Sequence, residues 1–302
     1  MRLTGLRFYL SYEWFGVSAP FDSACRLVTS PFFSPLSLGA LRVLFAVYSL
    51  VTTITVLVFE SVRFHDSSSF FSYFTDLSYI GLVAYFWASG IQTIAFVIWG
   101  QKAYPLQKWS RILQFLHILL YTTITIFPFI VTVVYWTLLA SSSTFRTQYS
   151  GMGSVCSSTA VVHDRLLLAW SNVSQHAMNS CFALFEILLT NAGPTPWSHI
   201  APGLVLFACY LGVAYITHAA QGFYTYDFLD PSAQHGLLAA YIIGMGVGYC
   251  ILFTIVKGIC TLRCRLVSPS RLDSSEQVQP EDLHEWEHVD VEPMKESSGS
   301  EA

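Results

Sequence analysis

The run ILQFLHILLYTTITIFPFIVTVVYWTLL, residues 112–139, contains no charged side chain. A helix needs about 20 mostly apolar residues to cross the hydrocarbon core of a bilayer, and it satisfies its backbone hydrogen bonds internally. This run therefore predicts a transmembrane helix. The whole chain has a matching composition, since 53% of its residues are hydrophobic and 11% are charged, whereas about a quarter of the residues in a soluble domain are charged.

Further apolar windows accompany this run. The long charge-free window 187–226 must contain a turn, because the prolines and glycines of NAGPTPWSHIAPG cannot continue a helix. In the last window, Gly244 and Gly248 predict a close contact between helices. The sequence thus predicts an all-α integral membrane protein, a bundle of six transmembrane helices. The predicted spans lie near residues 37–59, 74–99, 112–139, 166–190, 201–217 and 236–256.

The two ends of the chain differ in composition from this transmembrane domain, residues 37–263. Residues 1–36 are aromatic but interrupted by prolines, which predicts a cytosolic or interfacial segment and no cleaved signal peptide. Residues 264–302 predict a disordered acidic tail, because ten acidic residues and one lysine follow Arg271, a formal charge of -9. The HEWEH sequence at His284–His288 is therefore expected to match the zinc-protease motif only by accident.

Positive charges set the predicted orientation. Lys and Arg are enriched in cytosolic loops, and with a cytosolic N-terminus ten of them fall on the cytosolic side against three on the other. Both termini are therefore expected in the cytosol, with the protein in the endoplasmic reticulum, another endomembrane or the plasma membrane. Cys260 and Cys264 lie beside Arg263 and Arg265 and are candidate palmitoylation sites, although small apolar residues at a helix end would also explain them.

The fourth predicted span carries the most informative polar residues. At 100° per residue, four of them share one narrow stripe of the helix, namely Asn172, His176, Asn179 and Glu186. Ionisable groups in lipid are costly, so the stripe is expected to face the bundle interior or a wet cavity. Hydrogen bonding between helices would equally explain the two asparagines, and it is the favoured interpretation for Glu186. A histidine is a less usual choice for that purpose.

Thr75, near the start of the second span, lies at the same predicted depth as His176. A neutral imidazole within hydrogen-bond reach of a hydroxyl can take its proton during attack on an acyl carbon. The two residues therefore predict a nucleophile and its base. The adjoining Asp76 is expected to cap its helix. His218 and Tyr226 follow the fifth span on the same side and could help to form the cavity, although tyrosine is common at any membrane interface.

Three short blocks of sequence occur in a fixed order: Phe74-Thr75, the W-x-N-x-x-x-H pattern of Trp170–His176, and the H-x-x-x-G-x-x-x-Y-x-F-L-D pattern of His218–Asp230. They resemble blocks of the androgen-induced protein family, which includes the androgen-dependent regulator of tissue factor pathway inhibitor. The first resembles the block with the family's nucleophilic threonine, and the second resembles the block with its histidine. Val173 departs from the pattern, which has a second histidine at that position.

The resemblance implies hydrolysis of lipid esters, specifically fatty acid esters of hydroxy fatty acids, by a Thr/His pair. Thr75 would attack the ester carbonyl, and His176 would take its proton and later activate water. The stripe also offers Asn172 as a group that orients the imidazole. The expected partners are membrane lipids and an ester that enters from the bilayer, with no nucleic acid, cofactor or metal. The alternative is a non-catalytic scaffold or lipid-binding protein in which the stripe only packs the bundle.

Overall fold

The computed structural model describes residues 12–63, 69–140 and 159–267, and these ranges contain helices and turns but no strand. The α-helices are α1 (Pro35–Arg63), α2 (Phe74–Ile98), α3 (Arg111–Val134), α4 (Thr159–Val173), α5 (Asn179–Leu189), α6 (Ile200–Gln221), α7 (Pro231–Gln234) and α8 (Leu237–Val267). Two π-helical segments interrupt this series. Tyr135–Leu139 extends α3, and Ser174–Met178 joins α4 to α5.

Five helical stretches of the described residues are long and apolar enough to cross a membrane, namely Pro35–Val62, Phe74–Ile98, Arg111–Leu139, Trp197–Gln221 and Leu237–Val267. This agrees with an all-helical integral membrane protein. The predicted span 166–190, which contains the π segment Ser174–Met178, is not among them, so five stretches are found where six were predicted. Neither α4 nor α5 reaches the length of about 20 residues that a crossing needs by itself.

The last helix continues well past the predicted boundary at residue 256 because its basic side chains find carbonyl partners. Lys257 Nζ donates a hydrogen bond to the carbonyl of Thr195 at 2.6 Å. Arg263 donates to the carbonyls of Ile187 and Ala192. These bonds satisfy the two charges against the last turn of α5 and the segment that follows it.

A buried ion pair joins α1 to α5. Arg42 donates from Nε and Nη2 to the two carboxylate oxygens of Glu186 at 2.8 and 2.7 Å, and both side chains are fully buried. Arg42 Nη1 also donates to Thr93 Oγ1 and to the carbonyl of Leu27, each at 2.8 Å. The Tyr85 hydroxyl donates to Glu186 at 3.0 Å. A buried pair is tolerated when further hydrogen bonds satisfy it in this way, and here they connect α1, α2 and α5.

Residues 12–34 pack against the end of the bundle where α1 begins. The Tyr104 hydroxyl donates to the carboxylate of Asp22 at 2.6 Å, and Ser198 Oγ donates to the carbonyl of Trp14 at 2.6 Å. The described part of the predicted interfacial segment is therefore connected by hydrogen bonds to the loops that follow α2 and α5.

The predicted helix contact through Gly244 and Gly248 is wrong within this chain. A Cβ placed on either glycine would meet no atom within 4 Å. The close approach of α6 to α8 occurs instead at Gly203, where a Cβ would overlap the Tyr249 hydroxyl. That hydroxyl donates to the carbonyl of His199 at 3.3 Å, which fixes the two helices at this level.

Candidate catalytic site

Thr75 is the second residue of α2, a helix of 25 residues. The amide groups in the first turn of a helix lack partners within it, and they carry the positive end of the helix dipole. The residue before the helix, Tyr73, makes no side-chain capping bond. Asp76, the acidic residue of this first turn, has a buried carboxylate that accepts a hydrogen bond from Gln175 Nε2 at 2.7 Å, and its capping role stays a prediction. Among the first-turn amides, that of Phe74 donates to the Tyr226 oxygen and that of Leu77 donates to the carbonyl of Tyr73.

His176 lies in the π segment between α4 and α5 and is largely buried. Its Nδ1 is 3.0 Å from the backbone oxygen of Asn172. A carbonyl oxygen can only accept, so Nδ1 carries the proton and Nε2 is the acceptor. Nε2 is 3.4 Å from Thr75 Oγ1, a length usual for catalytic hydrogen bonds before substrate binds. The structure thus brings Thr75 and His176 together, with the imidazole in the tautomer that a base requires.

Aromatic residues at the end of α3 hold the imidazole in place. The Tyr135 ring stacks on His176 with centroids 3.7 Å apart and planes inclined by 22°. Trp136 Nε1 donates to the carbonyl of His176 at 3.1 Å. These two residues begin the other π segment, and π turns often occur at functional sites. The sequence patterns do not single out either residue, because aromatic side chains at a span end suggest only an interfacial belt.

Thr75 and Tyr135 line an apolar cavity of about 240 Å³ between α2, α3, α6 and α8. Most of its wall is aliphatic or aromatic, including Ile130, Val134, Leu204, Phe207, Leu211 and Met245. The described residues that line it do not include His176, which reaches the cavity through its contact with Thr75. The nucleophilic oxygen would therefore act at the edge of a space suited to a hydrocarbon chain.

Tyr226 places a phenol beside the same helix terminus. Its oxygen accepts a hydrogen bond from the Phe74 amide at 3.2 Å, and its ring stacks on Phe228 with centroids 5.0 Å apart and planes at 5°. Burial raises the pKa of Tyr226 well above 10, a shift that a hydrogen bond with the Thr75 side chain partly opposes. The phenol therefore remains protonated at neutral pH and can donate a hydrogen bond next to Thr75.

The remaining polar residues of the fourth span have separate positions. Asn172 contacts the imidazole through its backbone oxygen. Asn179 is buried, and its Oδ1 accepts hydrogen bonds from Thr132 Oγ1 at 3.2 Å and from the Ser180 amide at 2.7 Å, which connects α3 to α5. Glu186 forms the ion pair with α1 described above. Of the stripe, His176 thus contacts Thr75, whereas Asn179 and Glu186 form contacts between helices.

His218 lies in the last turn of α6, where its ring stacks on Tyr224 with centroids 3.8 Å apart. It is not among the described residues that line the cavity at Thr75. Of the two histidines predicted near the site, His176 is the one that contacts Thr75.

The two cysteines predicted as palmitoylation sites differ in accessibility. Cys260 is 1% exposed and lies 3.8 Å from the Tyr121 hydroxyl. Cys264 is partly exposed, and Arg26 Nη2 is 3.2 Å from its sulfur. A modifying enzyme cannot reach a buried thiol, so of these two cysteines Cys264 is the accessible one.

Among residues 12–63, 69–140 and 159–267, no three or more His, Cys, Asp and Glu side chains are grouped as a metal ion would require. The HEWEH sequence and the rest of the predicted acidic tail beyond residue 267 lie outside the described residues. No family model matches the chain, and neither a curated protein nor a solved structure matches it. The functional interpretation therefore depends on the geometry of the site.

Proposed function

We propose that this protein hydrolyses lipid esters within the membrane, with Thr75 as the nucleophile and His176 as the general base. The observation that supports this best is the 3.4 Å distance from Thr75 Oγ1 to His176 Nε2, with Nδ1 bonded to the Asn172 carbonyl. A hydroxyl beside an oriented base, at the edge of an apolar cavity, is the arrangement expected for acyl transfer.

In the first half of the reaction, His176 Nε2 takes the proton of Thr75 Oγ1 as this oxygen attacks the ester carbonyl carbon. The carbonyl oxygen becomes a transient oxyanion. When the tetrahedral intermediate collapses, the imidazolium gives its proton to the departing alkoxide, which leaves as an alcohol. The fatty acyl group is then an ester of Thr75.

In the second half, Nε2 takes a proton from water, whose oxygen attacks the acyl carbon. Collapse releases the fatty acid, and the proton returns from the imidazolium to Thr75 Oγ1. One ester and one water thus give one acid and one alcohol. The Asn172 carbonyl keeps a proton on Nδ1 in both halves and stabilises the imidazolium.

Two kinds of donor can stabilise the oxyanion. The amides in the first turn of α2 carry the positive end of a 25-residue helix. The Tyr226 hydroxyl is held beside them by its bond with the Phe74 amide. Donors that are in place before the charge develops are among the largest contributions to acyl-transfer catalysis.

The apolar cavity supports a substrate with a hydrocarbon chain. The resemblance to the androgen-induced protein family adds a more specific candidate, fatty acid esters of hydroxy fatty acids. We further propose six membrane crossings, in which Thr159–Leu189 crosses as one unit despite its π segment. Both termini would then be cytosolic, the acidic tail would lie in the cytosol, and Thr75 and His176 would lie in the half of the membrane away from it.

The test is ester hydrolysis by membranes that express the chain. Thr75→Ala and His176→Ala should each lower the release of fatty acid from a branched fatty ester by at least about 100-fold, the usual range for a lost base or nucleophile. Thr75→Ser should keep measurable activity because it retains the hydroxyl. His218→Ala is a matched control, since this histidine does not line the cavity. Equal activity in wild-type and control membranes, or in both alanine variants and wild type, would contradict the proposal.

The apolar cavity also fits a lipid-binding protein without catalytic activity. In that case the same membranes would retain a photoreactive fatty ester in the cavity but release no fatty acid. Retention without turnover, unchanged in Thr75→Ala and His176→Ala, would favour this second function.

A further inference from the structure

A groove on the outside of the bundle adjoins the cavity at Thr75. The groove is lined by Leu204 of α6 and by α8 residues, including Ile243, Gly246, Val247 and Ile251. Leu204 and Gly246 line both the cavity and the groove. Three α8 side chains of the groove are apolar and exposed, with Ile243 at 65%, Val247 at 52% and Ile251 at 54%. In a membrane such a surface faces lipid.

Gly246 leaves an opening where the two spaces meet. A Cβ on Gly246 would lie 3.9 Å from Leu204 Cδ2, and it would meet no other atom within 4 Å. Packing therefore does not require glycine here, and a larger side chain would fill the space between α6 and α8. One helical turn away, a Cβ on Gly203 would overlap the Tyr249 hydroxyl, so the same two helices leave no gap at that level. The boundary beside Gly246 is thus a single leucine side chain.

The cavity is too small to hold a long-chain ester by itself. Its volume of about 240 Å³ lies below the roughly 300–1,000 Å³ of pockets that enclose a whole small molecule. A chain that starts at an ester carbonyl beside Thr75 must therefore leave the cavity, and the adjoining groove shares Leu204 of α6 and Gly246 of α8 with it.

We propose that the acyl chain of a membrane lipid ester passes between α6 and α8 at Leu204 and Gly246, from the surrounding bilayer to Thr75. The occupant is a hydrocarbon chain, because both spaces are lined by apolar side chains and the outer one opens toward lipid. The role of this passage in catalysis rests on the proposed ester hydrolysis, whereas occupancy of the passage by a chain does not.

Gly246→Leu tests the passage with two matched controls. Gly244→Leu and Gly248→Leu add the same side chain to the same helix at positions where a Cβ meets nothing within 4 Å. In proteoliposomes, Gly246→Leu should hydrolyse p-nitrophenyl palmitate at least about tenfold more slowly than the controls, as expected when a hydrophobic path is blocked. Hydrolysis of p-nitrophenyl butyrate should stay within about twofold of the controls, because a short chain fits within the cavity. Equal loss with both esters, or no loss with palmitate, would overturn the passage.

A second measurement separates the passage from the chemistry. A palmitoyl ester with a diazirine near the end of its chain is photolysed in proteoliposomes of the Thr75→Ala variant, and the labelled peptides are mapped. Labels on peptides that contain Leu204 or Gly246, lost in Gly246→Leu but kept in Gly244→Leu, support the passage even if wild-type protein hydrolyses no ester. Labels confined to other helices overturn the passage, even if the hydrolase assay succeeds. Comparing melting temperatures of the three leucine variants shows whether each has folded.

Discussion

At the residue scale, the chemistry depends on which nitrogen of His176 carries the proton. The Asn172 carbonyl accepts from Nδ1, which leaves Nε2 to face Thr75. The Tyr135 ring covers one face of the imidazole at 3.7 Å between centroids, so the ring cannot turn without losing this stacking. The proposed base therefore has its Nε2 directed at Thr75 before any substrate binds.

Tyr226 offers a prediction about turnover. Tyr226→Phe removes the hydroxyl but keeps the ring that stacks on Phe228. If this hydroxyl stabilises the oxyanion, kcat should fall by about 10²–10³-fold, the effect of losing one such donor, with little change in KM. Tyr215→Phe is the control, since its hydroxyl donates to the carbonyl of Leu229 at 3.4 Å and does not line the cavity. An unchanged kcat in Tyr226→Phe would remove this residue from the mechanism.

The pKa of Tyr226 adds a pH profile to the same measurement. Burial raises that pKa well above 10, and a tyrosine donates its proton only below its pKa. Loss of the phenol proton should therefore cause no decline in wild-type activity between pH 7 and pH 9. A decline in this range that is absent from Tyr226→Phe would show that the phenol ionises there.

At the element scale, apolar windows predict most of the helices because length and the lack of charge suffice to define them. The predicted spans 74–99 and 112–139 match Phe74–Ile98 and Arg111–Leu139 closely. The two π segments could not be predicted in this way. Their register places His176 against Tyr135 and Thr75, and those contacts join residues that are distant in sequence.

The site was partly predictable from the sequence, because the predicted spans set the depth of each residue in the membrane. Thr75 and His176 follow from their equal depth in the bundle and from the family-like blocks, whereas their stacking and hydrogen-bond partners depend on packing between helices. The buried pair of Arg42 could also have been predicted, because Arg42 is a charged residue inside the predicted span 37–59. A lone arginine within a span needs a partner, and Glu186 is the acidic residue within the fourth span.

The Arg42–Glu186 pair predicts a difference in stability between single and double variants. Glu186→Gln leaves a fully buried guanidinium without its counter-charge, which typically costs about 3–5 kcal/mol. In detergent, its melting temperature should therefore lie well below that of wild type. The double variant Arg42→Met with Glu186→Leu should recover part of the loss, since apolar replacement of both partners is often tolerated. A double variant no more stable than Glu186→Gln would contradict this explanation.

At the scale of the whole molecule, the two ends of the helical bundle carry different parts of the chain. Thr75 and Tyr226 lie where α2 begins and α6 has ended, whereas residues 12–34 pack at the end where α1 begins. Our proposed orientation places the second end in the cytosol, with the predicted basic loops. The site would then face the lumen or the cell exterior.

An epitope after Ala302 tests this orientation. In intact cells the epitope should be protected from added protease, and it should be cut after selective permeabilisation of the plasma membrane. The Asn172 sequon should remain unglycosylated because it lies within α4, whereas a sequon introduced between residues 141 and 158 should be glycosylated. If the epitope resists protease in permeabilised cells and is cut only after detergent lysis, the proposed orientation is reversed.

The buried ion pair also constrains how the chain is made. Arg42 leaves the ribosome 144 residues before Glu186, and at 5–20 residues per second this interval lasts on the order of ten seconds. Throughout it, the first hydrophobic segment of the nascent chain carries a charge that lipid disfavours. That segment therefore gains its buried counter-charge only after α5 has been synthesised. A premature stop codon upstream of Glu186 would produce a fragment that cellular quality control can recognise by its uncompensated arginine.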